Sequence, residues 1–181
     1  MFDSLAMTDR ASPAKIRRAT LDDTAALAEL GAATFTEAFG HLYPLEDAQT
    51  FLASAHVPET WRRTLTEPKH AVWVAELADQ GMIGYICVGP CKLPVVPRES
   101  TAGEVRQLYV LAHFHNLRLG TRLMDTGLDW LDSAGQVPVY VGVWSGNDGA
   151  QRFYGRYGFR RVGEYGFPVG KTVDREFILK R

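Results

Sequence analysis

A strand followed by a short polar loop and a helix, between Glu104 and Met124, constrains the fold of this chain most strongly. The segment has the sequence EVRQLYVLAHFHNLRLGTRLM, which predicts a strand over Val105–Val110 and a helix whose first turn carries Gly120. A tight loop between a strand and a helix directs several free backbone N–H groups at one point, with the positive end of the helix dipole behind them. Phosphate oxygens bind such a geometry, so the segment predicts a site for a phosphorylated ligand.

A second strand and helix follow in the segment VGVWSGNDGAQRFYGRYGF, with the helix predicted over Asn147–Tyr157. This unit supplies Asn147 at the start of the helix and Tyr154 within it. Together with the carboxylate of Glu104, the phenol of Tyr154 can serve proton transfer. The two segments therefore predict an enzyme that holds a phosphorylated cofactor and uses a carboxylate and a phenol in its chemistry.

The rest of the chain places hairpins before the alternating strands and helices. Such an order predicts an α/β (α+β) protein in which helices cover a mixed sheet. The further strands are predicted at Ile16–Ala19, Ala71–Leu77, Met82–Val88, Val137–Val143, Val162–Phe167 and Val173–Leu179, and the further helices after Thr20, Pro44 and Pro58.

Length and composition restrict the classes of function. A chain of 181 residues is long enough for one well-buried core, and we predict a flexible tail over residues 1–14 and a single domain over 15–181. The formal net charge is -1 without a Lys/Arg run, which argues against nucleic acid and membrane partners. Cys87 and Cys91 make no disulfide framework, so we expect a cytoplasmic protein with reduced thiols.

Several spaced matches then identify a family. Glu104-Val105 precedes Leu108-Tyr109-Val110, and Asn147 precedes Ala150, Phe153-Tyr154 and Gly158-Phe159. From Ile16 to Lys180 the chain resembles a GNAT-superfamily (Gcn5-related) N-acetyltransferase. The resemblance implies a mixed, largely antiparallel sheet of about six or seven strands, with helices on both faces and a cleft where strands 4 and 5 splay apart.

The resemblance also implies acetyl-CoA as the cosubstrate and no metal. In that family the CoA pyrophosphate lies on a Q/R-x-x-G-x-G/A loop, of which this chain keeps only the last glycine and has Arg118 at the other glycine position. Arginine adds bulk at that point, yet it also offers a charge-assisted bond to phosphate, and a loop that merely connects is the further alternative. The implied loop residues are His115, Asn116, Leu117, Arg118, Leu119, Gly120 and Thr121.

The strand residues Leu108, Tyr109 and Val110 are implied to bind the cofactor as well. The N–H of Leu108 would polarise the acetyl carbonyl, and Val110 would pair with the pantetheine amide. Asn147 is expected to bond the pantetheine arm. Its alternative role is the N-cap of the following helix, and both roles are compatible.

Two side chains are implied to carry the chemistry. Tyr154 would protonate the departing CoA thiolate, and the alternative is a core tyrosine on an amphipathic helix. Glu104 is the candidate general base that removes a proton from the ammonium, and the alternative is a solvated carboxylate at the end of a strand.

Two segments narrow the resemblance to the bacterial PaiA-type polyamine (spermidine/spermine) acetyltransferases. One of them carries an aromatic stripe, Phe35, Phe39 and Tyr43, together with the carboxylates Glu37, Glu46 and Asp47. Aromatic faces and carboxylates suit a polycation, although such a stripe also suits a core. The implied acceptor is a small-molecule amine, with a polyamine first. An amino acid, a drug, a protein amine, a non-catalytic acyl-CoA-binding domain and a homodimer stay open.

Overall fold

The computed structural model describes residues 14–115 and 117–181, which contain both strands and α-helices. The strands are β1 (Lys15–Arg18), β2 (Ala71–Leu77), β3 (Gly81–Pro90), β4 (Gly103–Val110), β5 (Val139–Trp144), β6 (Arg160–Val169) and β7 (Thr172–Lys180). The helices are α1 (Thr24–Phe39), α2 (Leu45–Ala55), α3 (Pro58–Thr66), α4 (Leu119–Ser133) and α5 (Asp148–Arg156). Of the predicted tail only Ala14 lies in this part, where it is buried.

One sheet contains all seven strands in the order β1-β2-β3-β4-β5-β7-β6. Every neighbouring pair is antiparallel except β4 and β5, which are parallel. Parallel neighbours need a long crossover connection, and α4 supplies it. The expectation of a mixed, largely antiparallel sheet of about six or seven strands is confirmed.

The parallel pair opens soon after it begins. β4 and β5 are in register only at Gly103 opposite Val139 and at Glu104 opposite Tyr140. β4 continues to Val110 beyond this point without β5 beside it. The predicted splay between strands 4 and 5 is therefore confirmed, and it leaves a cleft in the middle of the sheet.

Helices cover both faces of the sheet, as expected. α4 packs on β2, β3 and β4, and its Leu123 and Leu131 are completely buried in one core. α1 and α3 cover the other face, where Leu27 and Trp61 pack around the fully buried Tyr85. Burying a side chain of this size stabilises the fold by about 1.5–3 kcal/mol, so each helix is fixed by a few such contacts.

A capping box between Thr20 and Asp23 precedes α1, around a short 3-10 turn over Leu21–Asp23 that leads into the helix. The backbone N–H of Thr20 donates to the carboxylate of Asp23 at 2.7 Å, and Asp23 also pairs with Arg17 at 2.8 Å. A reciprocal cap of this kind fixes where a helix begins. The phase of α1 then places Phe35 and Phe39, which are one turn apart, towards the cleft.

The first turn of α2 is tied to the β6–β7 hairpin. The Asp47 carboxylate accepts hydrogen bonds from the backbone N–H groups of Lys171, at 2.9 Å, and Thr172, at 3.1 Å. Gly170 in the turn has φ +60°, and a Cβ there would lie 2.5 Å from Asp47. Only glycine tolerates both the positive φ and the close approach of Asp47, so Gly170 allows the turn to bind the start of α2.

Candidate active site

A β-bulge in β4 decides which side chains face the same side of the sheet. The ladder with β3 passes over Arg106, which has no partner on that strand. Because side chains alternate along a strand, an extra residue reverses the alternation beyond it. Glu104 and Tyr109 are five positions apart, which would put their side chains on opposite faces of a regular strand. Because of the bulge, both side chains lie on the face that α1 covers.

Two cavities meet in the cleft between β4 and β5. The outer cavity, of about 750 Å³, is lined by the loop before α4, the first turn of α4 and one side of α5. The inner cavity, of about 390 Å³, lies between α1–α3 and the face of β4–β7. Both are lined by the junction residues Phe39, Leu108, Tyr109, Asn147, Ala150 and Tyr154.

The outer cavity brings together most of the predicted cofactor residues. Val110 on β4 joins the loop and helix residues His115, Arg118, Leu119, Gly120 and Thr121 in its lining. Leu117 is exposed and does not line the cavity, so the structure gives no support to its predicted contact with the cofactor. Asn116 lies outside the described residues.

Arg118 keeps the backbone conformation of a glycine. It stands at the N-cap of α4 with φ +57° and ψ +17°, in the left-handed region. No other non-glycine residue within the described ranges has a positive φ. Arg118 therefore adopts a conformation that glycine takes without strain, and its side chain is exposed at the mouth of the cavity.

Gly120 leaves free space in front of the helix. A Cβ at this position would have Phe153 as its nearest neighbour, at 3.9 Å, which is an ordinary contact distance. Protein packing therefore does not require a glycine here. Open space at the N-terminus of a helix suits the close approach of phosphate oxygens to backbone N–H groups.

Backbone groups of β4 face the cleft. Leu111 donates its N–H to the carbonyl of Ile83 at 2.9 Å, which marks a hydrogen-bonded position of the β3–β4 ladder. Such positions alternate in an antiparallel pair, so the N–H and C=O groups of Leu108 and Val110 point away from β3. Because β5 has diverged there, the Leu108 N–H is free to donate into the cleft.

His115 contacts the strand rather than only the loop. Its Nε2 lies 2.8 Å from the carbonyl oxygen of Val110, and since a carbonyl can only accept, Nε2 is the donor. The Val110 carbonyl is thus engaged, while its N–H still faces the cleft.

Asn147 fulfils the capping alternative that the sequence left open. Its Oδ1 accepts the backbone N–H of Ala150 at 2.9 Å, which caps α5. Since Asn147 also lines both cavities, a contact with pantetheine stays a prediction.

Tyr154 lies where the two cavities meet. It is 7% exposed and packs against Phe153 and Phe159, with ring centroids 5.5 and 5.8 Å away. Burial raises the pKa of its phenol well above the ordinary value, so the hydroxyl is protonated at neutral pH. A neutral phenol in this position can donate a proton.

Glu104 is buried in the inner cavity and is not a solvated carboxylate. It is 8% exposed, and its Oε2 accepts the backbone N–H of Lys92 at 2.7 Å. Burial raises the pKa of this carboxyl, while the Lys92 N–H and the charge of Arg106 partly oppose the shift. A carboxylate with a raised pKa is better matched to taking up a proton near neutral pH.

Two further carboxylates of the inner cavity were not predicted. Tyr165 on β6 donates to Glu176 on β7 at 2.5 Å, and Tyr43 donates to Asp174. Burial raises the pKa of Glu176, and the charges of Asp174 and Glu104 raise it further. The alternation of Asp174, Glu176 and Ile178 indicates that they share one strand face, but the sequence carries no signal that β7 lies beside β5.

Gly142 on β5 gives this group its room. A Cβ at Gly142 would lie 2.9 Å from both Glu176 Oε2 and the Tyr165 hydroxyl. Within residues 14–115 and 117–181, neither Glu104, Asp174 nor Glu176 forms an ion pair with a lysine or arginine. The inner cavity therefore holds carboxylates whose charge an arriving cation would balance.

All three residues of the aromatic stripe line the inner cavity, and Phe35 is also buried. Phe35 stacks on Tyr43 and Phe51, with ring centroids 5.9 and 4.6 Å away. Phe39 meets Tyr109 and Trp144 edge-on, at 6.4 and 6.3 Å. Rings in these arrangements give a rigid apolar wall.

The carboxylates predicted beside that stripe are placed elsewhere. Glu37 faces the outer cavity, where it accepts the backbone N–H of Ala112 at 2.9 Å. Glu46 pairs with Lys171 at 3.4 Å on the surface, and Asp47 binds the β6–β7 turn. The prediction that these carboxylates lie beside the stripe was wrong: Glu46 and Asp47, in the first turn of α2, bind the β6–β7 turn, and Glu37, in the last turn of α1, binds the chain after β4.

Metal and membrane sites receive no support in the described part of the chain. The His, Cys, Asp and Glu residues of 14–115 and 117–181 do not gather in threes that could hold a metal ion. None of the helices described above combines the length and apolar character that a membrane span requires.

The sequence profile of the acetyltransferase (GNAT) family matches residues 31–159. The chain belongs to this family. An uncharacterized N-acetyltransferase of Mycobacterium bovis is 26% identical over 165 residues, which cover 89% of this chain and 98% of that protein. Another from Lactobacillus delbrueckii subsp. lactis is 26% identical over 163 residues, covering 82% and 85% of the two chains.

Solved structures share the fold at lower identity. A PaiA N-acetyltransferase from Thermoplasma acidophilum, in complex with coenzyme A, superposes with a TM-score of 0.73 at 16% identity, covering 93% of this chain and 99% of the other. A ribosomal-protein-alanine N-acetyltransferase from Brucella melitensis gives 0.67 at 19%, covering 92% and 98%. Family and fold together identify this GNAT protein as an acyltransferase with acetyl-CoA as cosubstrate.

Proposed function

We propose that acetyl-CoA occupies the outer cavity and that its acetyl group passes directly to a primary amine of a small molecule in the inner cavity, with a polyamine such as spermidine or spermine as the favoured acceptor. The observation that carries this proposal is the meeting of the two cavities at Leu108 and Tyr154. A backbone donor and a neutral phenol stand at this junction, and Glu104 lies on the acceptor side of it.

The outer cavity suits the cofactor in size and chemistry. Its volume of about 750 Å³ lies in the range of small-molecule sites. The N–H groups at the start of α4 and the guanidinium of Arg118 would hold the pyrophosphate. The cleft-facing backbone of Val110, together with Asn147, would hold the pantetheine arm.

The reaction then needs three groups of this chain. Glu104 removes a proton from the acceptor ammonium, and the amine nitrogen attacks the thioester carbonyl carbon. The N–H of Leu108 stabilises the oxyanion that forms on that carbonyl. The carbon–sulfur bond breaks as the oxyanion collapses, and Tyr154 gives its proton to the departing sulfur. The nitrogen then gives up its second proton, which restores the phenol and leaves the neutral amide.

The lining of the inner cavity supports a cationic acceptor with more than one charge. Glu104, Asp174 and Glu176 bring three carboxylates to a cavity whose lining is rich in aromatic side chains and holds one arginine, Arg106. Aromatic faces attract ammonium groups by about 0.5–2 kcal/mol each, and carboxylates without ion-pair partners gain from a cation between them. A volume of about 390 Å³ favours a small acceptor over a folded protein surface.

The test is CoA release from acetyl-CoA with a panel of amines: spermidine, spermine, butylamine, an amino acid and a peptide with a free N-terminus. We expect kcat/KM for spermidine to exceed that for butylamine by at least about tenfold, which corresponds to about 1.4 kcal/mol. Glu176→Gln should lower the spermidine value about tenfold and the butylamine value much less.

A matched control is Glu46→Gln, because Glu46 is an exposed carboxylate outside both cavities. This variant should keep the preference of the wild type. Equal kcat/KM values for spermidine and butylamine would reject a polyamine as the favoured acceptor. A higher kcat/KM for the amino acid or the peptide would identify that compound's class as the acceptor instead. Absence of CoA release with every amine would indicate a domain that binds acyl-CoA without turnover.

A further inference from the structure

Phe39 stands at the boundary between the two cavities. Its ring lines both of them and meets Tyr109 of β4 and Trp144 of β5 edge-on, at 6.4 and 6.3 Å between centroids. Because β4 and β5 are the strands that separate here, the ring spans the opening between them. Space that continues from the outer to the inner cavity therefore has to pass beside Phe39.

The chain on both sides of Phe39 is fixed to the sheet. On the outer side, the Glu37 carboxylate accepts the backbone N–H of Ala112 at 2.9 Å, just after β4. On the inner side, the Tyr43 hydroxyl donates to Asp174 on β7. Phe39 lies between these attachments, at the end of α1, so its position is set by both edges of the cleft.

We infer that Phe39 sets the length of the acyl chain that the enzyme accepts, because its ring closes the space into which the carbons of a longer acyl group would extend. The inference rests on the proposed function, in which the thioester lies at the junction beside Leu108 and Tyr154. An acetyl group ends at the junction. Each additional methylene has to displace the Phe39 ring or enter the volume that the acceptor amine needs.

The experiment compares acetyl-, propionyl-, butyryl- and hexanoyl-CoA as donors for the wild type and for Phe39→Ala, with one acceptor amine. A single extra methylene in a closed apolar site costs about 10- to 200-fold in kcat/KM. We expect the wild type to prefer acetyl-CoA over butyryl-CoA by at least about tenfold and Phe39→Ala to reduce this ratio by at least about tenfold. Transfer of the longer group still moves one acyl group from sulfur to nitrogen.

Phe51→Ala is the matched control. Phe51 is another aromatic residue, and it lines the inner cavity without lining the outer one. Its removal should change KM for the amine and leave the acyl-chain ratio of the wild type unchanged. Phe39→Leu, which keeps an apolar side chain in α1, replaces Phe39→Ala if the latter does not fold, and it should shift the ratio in the same direction.

Calorimetric titration of acetyl-CoA and butyryl-CoA, without any acceptor, separates the two claims. If the wild type binds acetyl-CoA but turns over no amine, the proposed function fails, while tighter butyryl-CoA binding in Phe39→Ala than in the wild type still supports the inference. An acyl-chain ratio and a butyryl-CoA affinity that are unchanged in both Phe39 variants overturn the inference and leave the proposed function intact.

Discussion

Replacement of Arg118 by glycine and by alanine separates the backbone of the phosphate loop from its side chain. Arg118 holds φ +57° at the N-cap of α4, which costs a non-glycine residue roughly 1–2 kcal/mol. Glycine adopts this conformation freely but loses more chain entropy on folding, by roughly 0.4–1 kcal/mol. We therefore expect Arg118→Gly to raise the free energy of unfolding by about 0.5–1 kcal/mol, whereas Arg118→Ala keeps the strain.

Thermal and urea unfolding of the wild type and both variants measure this difference. For a chain of 181 residues, 1 kcal/mol shifts Tm by about 2–4 °C. Arg118→Gly should therefore unfold a few degrees above Arg118→Ala. A Tm for Arg118→Gly at or below that of Arg118→Ala would refute the assignment of strain to this position.

Affinity for acetyl-CoA tests the side chain. A charge-assisted bond to phosphate is worth about 1.5–3 kcal/mol, so its loss should weaken binding about 10- to 100-fold in both variants. Calorimetric titration measures the change, and Arg152→Ala, an exposed arginine of α5 outside the cavity lining, is the control that should keep the affinity of the wild type. Tighter binding by Arg118→Gly than by the wild type would show that arginine only crowds the site.

Three further substitutions test the chemistry and the buried charge. Tyr154→Phe should leave acetyl-CoA affinity within a few-fold and lower kcat by roughly 10- to 1000-fold, and an unchanged kcat in steady-state assays would exclude Tyr154 as the proton donor. Glu104→Gln should lower kcat/KM at neutral pH and recover partly as pH rises and free amine accumulates; a pH–rate profile with the height and shape of the wild type would place the base elsewhere. Glu176 has a folded-state pKa above its unfolded value, so its favourable contribution to stability is present at low pH and is lost as pH rises through the folded pKa. Glu176→Gln should therefore have a higher Tm than the wild type at pH 8, and the difference should become smaller towards pH 4. A lower Tm of the variant at pH 8 in calorimetry would contradict the claim that the buried charge of Glu176 destabilises the fold.

Local signals predicted much of the fold. The starts of the helices after Thr20, Pro44 and Pro58 depend on short-range sterics and hydrogen bonds, which the sequence displays directly. The loop before α4 was predicted for the same reason. Its resemblance to the family loop also pointed to Arg118 as the departure, and the left-handed backbone conformation at Arg118 became visible only in the structure.

Long-range placement limited the prediction of the site. β7 lies between β5 and β6 although it follows both in the chain, so Asp174 and Glu176 reach the cavity through a strand order that no local pattern encodes. The bulge at Arg106 likewise reverses the alternation of side chains along β4, and only for that reason do Glu104 and Tyr109 lie on the same face. Glu46 and Asp47 were misplaced because a carboxylate at a helix start can bind a ligand or a turn with the same chemistry.

The central claim is that acetyl passes directly from CoA to an amine where the two cavities meet. Mass spectrometry of a reaction with acetyl-CoA labelled in its acetyl carbons and an excess of spermidine tests this claim most directly. The account predicts one labelled acetyl-amine for each CoA released and no label on the protein when the amine is omitted. Label that first accumulates on the protein and then passes to the amine, or CoA release without any labelled amine, would contradict it.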